Sequence, residues 1–191
     1  KSLQKLRGMQ PEEWLSVPIV DRTNPPRVGG FLPNCSPVVT WRHRFRKGGQ
    51  MPVRRGNAEW KGDLAQGTGT VSTESGAVQS HYSFPSRFET GEGTNPEELL
   101  GAAHAACFSM ALSHGLAEAG YTPASVRTEA GVHLTKGDAG FSVGRIDLDC
   151  VAQVPGIDEG TFQDQARAAK KGCPISGALA AVDIHLNARL T

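Results

Sequence analysis

One long apolar stretch stands out in the pattern of hydrophobic and polar positions, GTNPEELLGAAHAACFSMALSHGLAEAG. Thr94 or Asn95 can cap the start of a helix here, Pro96 suits its first position, and Gly120 can end it. Hardly any strongly polar side chain interrupts residues 99–112. The pattern therefore predicts a helix of about 24 residues that is buried on nearly every side.

Alternating apolar and polar positions predict strands on both sides of this helix. Before it, VRRGNAEWKGD and GTVSTES are typical of a hairpin joined by LAQG, whereas HYSFPSRFETGEG, with Pro85, is expected to be mainly loop or a short edge strand. After it, SVRTEAGVHLTKGDAGFSVGRIDLDCVAQVPG predicts two long strands around the turn KGDAG. Cys150 falls on the inward face of the second of these strands, where a free cysteine usually packs as a small hydrophobic residue.

The last part of the chain predicts two helices and a strand. Asp158 can cap the helix EGTFQDQARAAKK, which ends at Gly172, and Pro174 can open a further helix, PISGALAAV. The segment DIHLNARL alternates as a strand. The order ββ, α, ββ, αα, β indicates an α+β fold in which antiparallel sheets pack around a long central helix.

The distribution of charge divides the chain into two parts. Residues 1–50 hold nine basic and three acidic residues and half of the twelve prolines, whereas residues 51–191 hold 11 basic and 16 acidic residues. We therefore expect 1–50 to be an extended or disordered N-terminal extension, tag-like or non-native, and 51–191, with Met51 as a natural start, to be the working domain. The basic cluster WRHRFRK could contact nucleic acid, but one short cluster is more often a solvated tail, so no nucleic-acid partner is expected.

The cellular compartment can be inferred from what the sequence lacks. The chain has no segment of signal-peptide form and no run of about 18 apolar residues, which favours a soluble protein without a membrane partner. Its cysteines are widely spaced and form no CxxC pair, so neither a zinc site nor a disulfide scaffold is indicated. We expect a reducing, cytoplasmic compartment and no metal or other cofactor. The four cysteines are Cys35, Cys107, Cys150 and Cys173.

Cys173 lies between Gly172, which ends one helix, and Pro174, which opens the next, and therefore at the start of a helix. The free N–H groups and the dipole at such a position lower the pKa of a thiol below its usual value of about 8.5. The local sequence leaves a reactive thiol and a cysteine without a role equally open.

Cys107 is the opposite case, because burial in an apolar helix raises the pKa of a thiol, and only a neighbouring cation could make it a nucleophile. His104, three residues earlier, could act as a base or as an imidazolium, although a hydrogen-bonded core histidine is more common at such a spacing. Two ligands do not make a zinc site. An arginine, which stays charged when buried, is the better candidate for the cation.

Five segments, in order, resemble the OsmC family of osmotically inducible thiol peroxidases, which is related to the organic hydroperoxide resistance proteins. They are STESG, SRFE (a looser form of TRFE), GTNPEELLGAAHAACFSMALS, VPGID and CPIS, and the resemblance runs from about Arg54 to the end of the chain. Residues 1–50 have no counterpart. The resemblance implies an OsmC-like fold, an intertwined homodimer, and reduction of organic hydroperoxides, and less efficiently of hydrogen peroxide, through a two-cysteine cycle in defence against oxidative and osmotic stress.

The same resemblance implies roles for four residues. Cys107 would be the peroxidatic thiolate and Cys173 the resolving thiol, Arg87 of SRFE would be the cation beside the peroxidatic sulfur, and Glu97 of NPEE would orient that arginine. An external dithiol, of the lipoyl type in the related hydroperoxide proteins, would reset the pair. Ser86 stands where the family has threonine, a change that does not touch the guanidinium.

Glu97 precedes Cys107 by ten residues, which is about 15 Å along a straight helix. Either Arg87 bridges that gap in a bent arrangement, or the second subunit supplies the Arg87 and Glu97 pair, and we favour the shared site. Two other functions stay open at this point. A non-catalytic module could hold a hydrophobic small molecule in an apolar dimer cleft, and a cysteine hydrolase would need His104 as the base of Cys107.

Overall fold

The computed structural model describes residues 51–191 apart from Ala139, so the predictions for residues 1–50 and for the cluster WRHRFRK lie outside the described residues. The described chain is an α+β fold with two three-stranded sheets and a long helix. Its elements are β1 Gly56–Lys61, β2 Thr68–Thr73, β3 Gln79–Ser83, α1 Phe84–Phe88, α2 Pro96–Glu118, β4 Ser125–Gly137, β5 Gly140–Gln153, α3 Glu159–Gly172, α4 Pro174–Ala178 and β6 Asp183–Leu190.

The first sheet confirms the predicted opening hairpin and adds a third strand to it. β1 pairs with β2, and β2 with β3, both antiparallel. Gly69 lies between the rings of Trp60 and Tyr82, whose centroids are 5.2 Å apart, and a Cβ at this position would come within 2.3 Å of the tyrosine ring. Close packing of the two aromatic rings therefore requires a glycine here.

The segment HYSFPSRF, expected to be mainly loop, forms β3 and the short helix α1 instead. Ser83 and Ser86 make a reciprocal capping box, in which each side chain accepts a hydrogen bond from the other residue's backbone N–H. Pro85 lies in the first turn, where it needs no hydrogen-bond partner for its nitrogen. The proline that argued for a loop in the sequence thus helps to start a helix.

The second sheet is mixed, which corrects the expectation of antiparallel pairing throughout. β4 and β5 form the predicted antiparallel hairpin, but β6 pairs with β5 in parallel, with Ile146 opposite Ile184. The chain leaves the end of β5, crosses through α3 and α4, and returns in the direction of β5, as a parallel connection requires. α4 ends at Ala178 and is shorter than the sequence predicted.

Helix α2 confirms the predicted start, since the Asn95 side chain caps it by accepting a hydrogen bond from the Glu98 N–H at 2.8 Å. The predicted burial on nearly every side is wrong for the described chain, because the opposite face is open and Met110 there is 75% exposed. By length and composition alone α2 could span a bilayer, but its buried face packs on β4 and α3. The buried positions on that face are Gly101, His104, Phe108, Leu112 and Leu116.

The hydrophobic core lies between α2, α3 and the inner face of the second sheet. The Asp158 side chain caps α3 as predicted, and Phe162 of that helix is fully buried. Cys150 on β5 is also fully buried and packs as a core residue, as its inward position predicted. The core holds the middle of α2 against the end of α3, where the remaining two cysteines of the described chain lie.

Candidate functional site

The two remaining thiols of the described chain contact each other. Cys107 lies in the middle of α2, and Cys173 lies where α3 ends and α4 begins, with its N–H donating to Ala169 O at 2.8 Å. Extended backbone at Cys173, with φ −66° and ψ 122°, turns the chain so that Pro174 can open α4. The two Sγ atoms are 3.1 Å apart although 66 residues separate them in the chain. The fold therefore brings the two free thiols into direct contact.

The environment of Cys173 favours its thiolate. Burial opposes ionisation and is the largest single influence, but the backbone N–H of Ser176, the Cys107 thiol, the Ser176 hydroxyl and the backbone N–H of Ile175 together outweigh it, so the pKa of Cys173 is lowered. The α4 groups act from the first turn of the helix without closing a capping hydrogen bond to the sulfur. The prediction of a lowered pKa at a helix start holds, and it arises from donors that surround a nearly inaccessible sulfur.

The environment of Cys107 works in the other direction. Burial raises the pKa of the Cys107 thiol, and the neighbouring Cys173 raises it further, while the backbone N–H of Ile175 opposes these influences. Cys107 is partly exposed, whereas Cys173 is 1% exposed. Within the described chain, Cys173 is therefore the more acidic thiol and Cys107 the more accessible one.

His104 is a buried, hydrogen-bonded residue rather than a base for Cys107. Its Nε2 lies 2.8 Å from Ser176 Oγ, its ring is fully buried, and burial lowers the pKa of its imidazole. No hydrogen bond joins His104 to Cys107 among those formed within residues 51–191. A cysteine hydrolase would need that contact, so the geometry does not favour hydrolase chemistry.

Arg87 and Glu97 form the second polar pair of the site. Arg87 Nε and one terminal nitrogen donate to the two Glu97 carboxylate oxygens at 3.2 and 2.8 Å, which is the bidentate geometry that holds a guanidinium most firmly. The guanidinium also lies over the Phe88 ring, 5.2 Å from its centroid. Glu97 therefore fixes the orientation of the Arg87 guanidinium, while the catalytic role that the resemblance implies for the two residues stays a prediction.

Ser86 connects the arginine to the start of α2. Its hydroxyl donates to Thr94 O at 2.8 Å, and Asn95 Nδ2 donates to Ser86 O at 3.1 Å. These bonds hold α1 beside the first turn of α2, where Glu97 is located. Serine supplies the hydroxyl that threonine would supply at this position, so the departure from the family pattern preserves the contact.

The two polar pairs lie at different places along α2. Glu97 is in the first turn and Cys107 is ten residues further, about 15 Å along the axis. Within residues 51–191, Arg87 makes no hydrogen bond to either thiol. The structure brings Cys107 to Cys173 and Arg87 to Glu97, but one described chain does not unite the two pairs.

A cleft of about 370 Å³ lies beside Arg87 and is lined mainly by aromatic and apolar side chains. Among the described residues that line it, Arg87 is the only charged one. Among residues 51–191 there is no cluster of three or more His, Cys, Asp or Glu residues that could hold a metal ion. The cleft is lined by Trp60, Gly62, Leu64, Tyr82, Ser83, Phe84, Arg87 and Phe88.

Two polar residues of the site had no role in the sequence interpretation. Ser86 joins α1 to Thr94, just before α2, and Ser176 contacts His104 beside the thiol pair. Both lie within the quoted motifs SRFE and CPIS. Ser176 could have been found from its spacing, because a serine three residues after a helix-capping cysteine faces back toward that cysteine.

Comparisons with known proteins identify the family of this chain. The family described as "OsmC-like protein" matches residues 89–187. The chain is 57% identical over 129 residues to the protein named Peroxiredoxin OsmC of Escherichia coli, a match that covers 67% of this chain and 90% of the relative. It is 29% identical over 121 residues to the organic hydroperoxide resistance protein OhrB of Bacillus subtilis, covering 62% of this chain and 87% of OhrB.

The fold is similar to that of solved structures as well. The crystal structure of Bacillus subtilis OhrB superimposes with a TM-score of 0.54 at 26% identity, over 72% of this chain and 98% of OhrB. The sequence match, the fold and the order of the motifs lead to the same assignment. The chain belongs to the family of OsmC-like proteins.

Proposed function

We propose that the protein is a thiol-dependent peroxidase that reduces organic hydroperoxides to alcohols through a cycle of Cys107 and Cys173. The observation that carries the proposal is the contact of the two sulfurs at 3.1 Å. The names of the relatives, a peroxiredoxin and hydroperoxide resistance proteins, support the same chemistry. The aromatic cleft beside Arg87 suits the apolar part of an organic hydroperoxide better than it suits hydrogen peroxide.

In the first step, the Cys107 thiolate attacks the terminal oxygen of the hydroperoxide. A sulfur–oxygen bond forms, the oxygen–oxygen bond breaks, and the alkoxide leaves and takes a proton to become the alcohol. The two electrons come from the sulfur, which becomes a sulfenic acid. The partial exposure of Cys107 allows the peroxide to approach it, whereas Cys173 lies too deep to meet the substrate first.

In the second step, the Cys173 thiolate attacks the sulfur of the sulfenic acid. A disulfide forms, and hydroxide leaves as water after taking a proton. The donors around Cys173 suit this step, because they keep a buried sulfur in its nucleophilic form. An external dithiol of the lipoyl type then supplies two electrons and restores both thiols.

We propose that the working unit is a homodimer in which Arg87 and Glu97 of one subunit serve the Cys107 of the other. The length of α2 between Glu97 and Cys107 supports this arrangement, because it keeps the two pairs of one chain apart. The exposed Met110 on α2 supports it too, since an apolar helix face favours burial against a second copy. No metal or other cofactor enters the cycle, and we expect it to operate in the cytoplasm.

The test follows peroxide consumption and the mass of the intact protein after mixing with cumene, tert-butyl and hydrogen peroxides. We expect Cys107→Ser to abolish turnover, and Cys173→Ser to stop after one turnover with a sulfenic acid on Cys107. Cys150→Ala is the matched control, since Cys150 is a core residue without a role in the cycle. Full steady-state activity in Cys107→Ser would refute the proposal, and a wild-type protein whose thiols ignore peroxide would favour the small-molecule-binding alternative.

A further inference from the structure

A second contact links the same two elements that the thiol pair links. His104 precedes Cys107 by three residues on α2, and Ser176 follows Cys173 by three residues on α4. The distance from His104 Nε2 to Ser176 Oγ is 2.8 Å, and the distance between the sulfurs is 3.1 Å. The two contacts therefore lie about one helical turn apart. His104, Ser176 and Cys173 are all buried.

The hydrogen-bond partners of the buried His104 ring indicate which of its two nitrogens carries the hydrogen. Nδ1 is buried and has no hydrogen-bond partner among the described residues. A buried N–H without an acceptor is disfavoured more strongly than an unpartnered acceptor, so the hydrogen belongs on Nε2. Nε2–H then donates to Ser176 Oγ, and the Ser176 hydroxyl hydrogen is left to point toward another acceptor.

Cys173 lies close to Ser176, at the start of α4. The two residues are separated by one turn, and the Ser176 hydroxyl and N–H both favour the Cys173 thiolate. If Ser176 instead donated to His104, the hydroxyl could not donate to the sulfur and the imidazole hydrogen would lie on the unpartnered Nδ1. With the hydrogen on Nε2, His104 carries no buried N–H without an acceptor.

We propose that His104 and Ser176 are positioning residues of the resolving step, in which His104 fixes the Ser176 hydroxyl as a donor to Cys173 and holds α4 against α2. The inference rests on the proposed two-cysteine cycle. In that step the electron pair of the Cys173 thiolate forms the sulfur–sulfur bond, the sulfur–oxygen bond of the Cys107 sulfenic acid breaks, and hydroxide leaves as water with a proton from solvent. The products are the Cys107–Cys173 disulfide and water.

His104 stays a hydrogen-bond donor and does not carry the proton. Burial lowers the pKa of its imidazole, so the ring is neutral and has one hydrogen. Cys107 on α2 is the titratable group that contacts Cys173, and two lysines lie in the last turn of α3, just before Cys173 in the chain. Of these, Lys170 donates to Ile184 O on β6. α4 itself carries no titratable side chain, so Ser176 is its one side-chain donor near the sulfur.

The experiment separates the two chemical steps by rapid mixing with cumene hydroperoxide, quenching, and mass spectrometry of sulfenic acid and disulfide. We expect Ser176→Ala and His104→Leu to slow disulfide formation about tenfold, the effect of one hydrogen bond to a charged group, while sulfenic acid formation stays within about twofold. His104→Gln, whose amide can donate from about the position of Nε2, should restore most of the rate. The pH profile of disulfide formation should shift upward in Ser176→Ala.

The matched control is His114→Leu, because His114 is an exposed histidine on the same helix. Unchanged disulfide formation in Ser176→Ala would overturn the inference, and so would equal slowing of both steps, which would indicate a purely structural role. Should His104→Leu fail to fold, Ser176→Ala decides, since it removes a single oxygen atom. A wild-type protein that forms no sulfenic acid would instead refute the proposed function.

Discussion

The two polar pairs along α2, the thiol pair Cys107–Cys173 and the ion pair Arg87–Glu97, differ in their surroundings. One chain supplies both sulfurs of the thiol pair in the middle of the helix, because Cys107 meets Cys173 at 3.1 Å, and groups of α4 lower the pKa of the second thiol. At the start of the helix, Arg87 donates a hydrogen bond to each of the two Glu97 carboxylate oxygens. The guanidinium held in this way lines the cleft beside it, whose other described lining residues are uncharged.

Within the described chain, the surroundings of the thiol pair do not favour a thiolate on Cys107. Alone, the described chain favours ionisation of Cys173 and disfavours that of Cys107, although Cys107 is the more accessible sulfur. A peroxidatic role for Cys107 therefore needs a cation from elsewhere, and we expect the oriented Arg87 to supply it. The two regions are complementary, and we expect a second subunit to bring them together.

The largest expected effect comes from removing that cation. Arg87→Ala should lower kcat/KM for cumene hydroperoxide about 100-fold, the typical cost of losing a positioned charge at a reacting centre. Arg55→Ala is the matched control, since Arg55 forms an exposed ion pair with Glu74 on the first sheet. The measurement is initial-rate peroxide consumption with a saturating dithiol. A rate within about twofold of the wild type would remove Arg87 from the site.

Mixing two inactive variants tests whether the cation crosses the dimer. If Arg87 acts on the partner's sulfur, subunit exchange between Arg87→Ala and Cys107→Ser should restore about a quarter of the wild-type activity, because half of the dimers are mixed and each has one complete site. If the site lies within one chain, no mixture regains activity. The result decides whether the two regions of α2 are joined within a chain or between chains.

The sequence was sufficient for most of the fold because its local signals are consistent. The capping residues Asn95 and Asp158 marked the starts of α2 and α3, and the alternation before and after KGDAG marked β4 and β5. The parallel pairing of β6 could not be predicted in this way. Alternation reveals which face of a strand is buried but carries no information about the direction of its neighbour.

The residues of the candidate site could be predicted only where they lie in a motif of the OsmC family. Cys107 and Cys173 were named through the family resemblance, and their local environments left reactivity open, because 66 residues separate two sulfurs that only the fold brings together. The burial of α2 was overestimated for a related reason. An alanine-rich helix has the same composition whether the chain's own core or a second copy covers its outer face, and Met110 is exposed in the described chain.

Gly101 tests whether the position of α2 couples the two regions, because it lies between Glu97 and Cys107. A Cβ at Gly101 would lie 2.7 Å from Ala130 O on β4, so Gly101→Ala must push the helix off the sheet. We expect a net loss of about 1 to 2 kcal/mol in the free energy of unfolding, since overpacking outweighs the gain in helix propensity. Urea denaturation measures the change.

Gly115 on the same helix provides the control for this substitution. A Cβ there would meet only the flexible end of Gln165, so Gly115→Ala should leave the helix in place and stabilise the protein by up to about 1 kcal/mol. Disulfide formation should slow in Gly101→Ala alone. If both variants were equally stable, the close approach of α2 to β4 would not be what fixes the positions of the two pairs.

The smallest expected effect is the pH dependence of stability in the reduced protein. The lowered pKa of Cys173 means that the unfolded chain binds more protons between the folded and the ordinary thiol pKa, so stability rises with pH through that window and is lost as pH falls through the folded pKa. The raised pKa of Cys107 has the opposite sign and lowers stability above the ordinary thiol pKa. We expect the free energy of unfolding of the wild type to rise with pH through this window, and Cys173→Ser to lack this rise. Denaturation of both proteins across the range measures the difference. Parallel curves would mean that the donors of α4 do not lower the pKa of the Cys173 thiol in the folded protein.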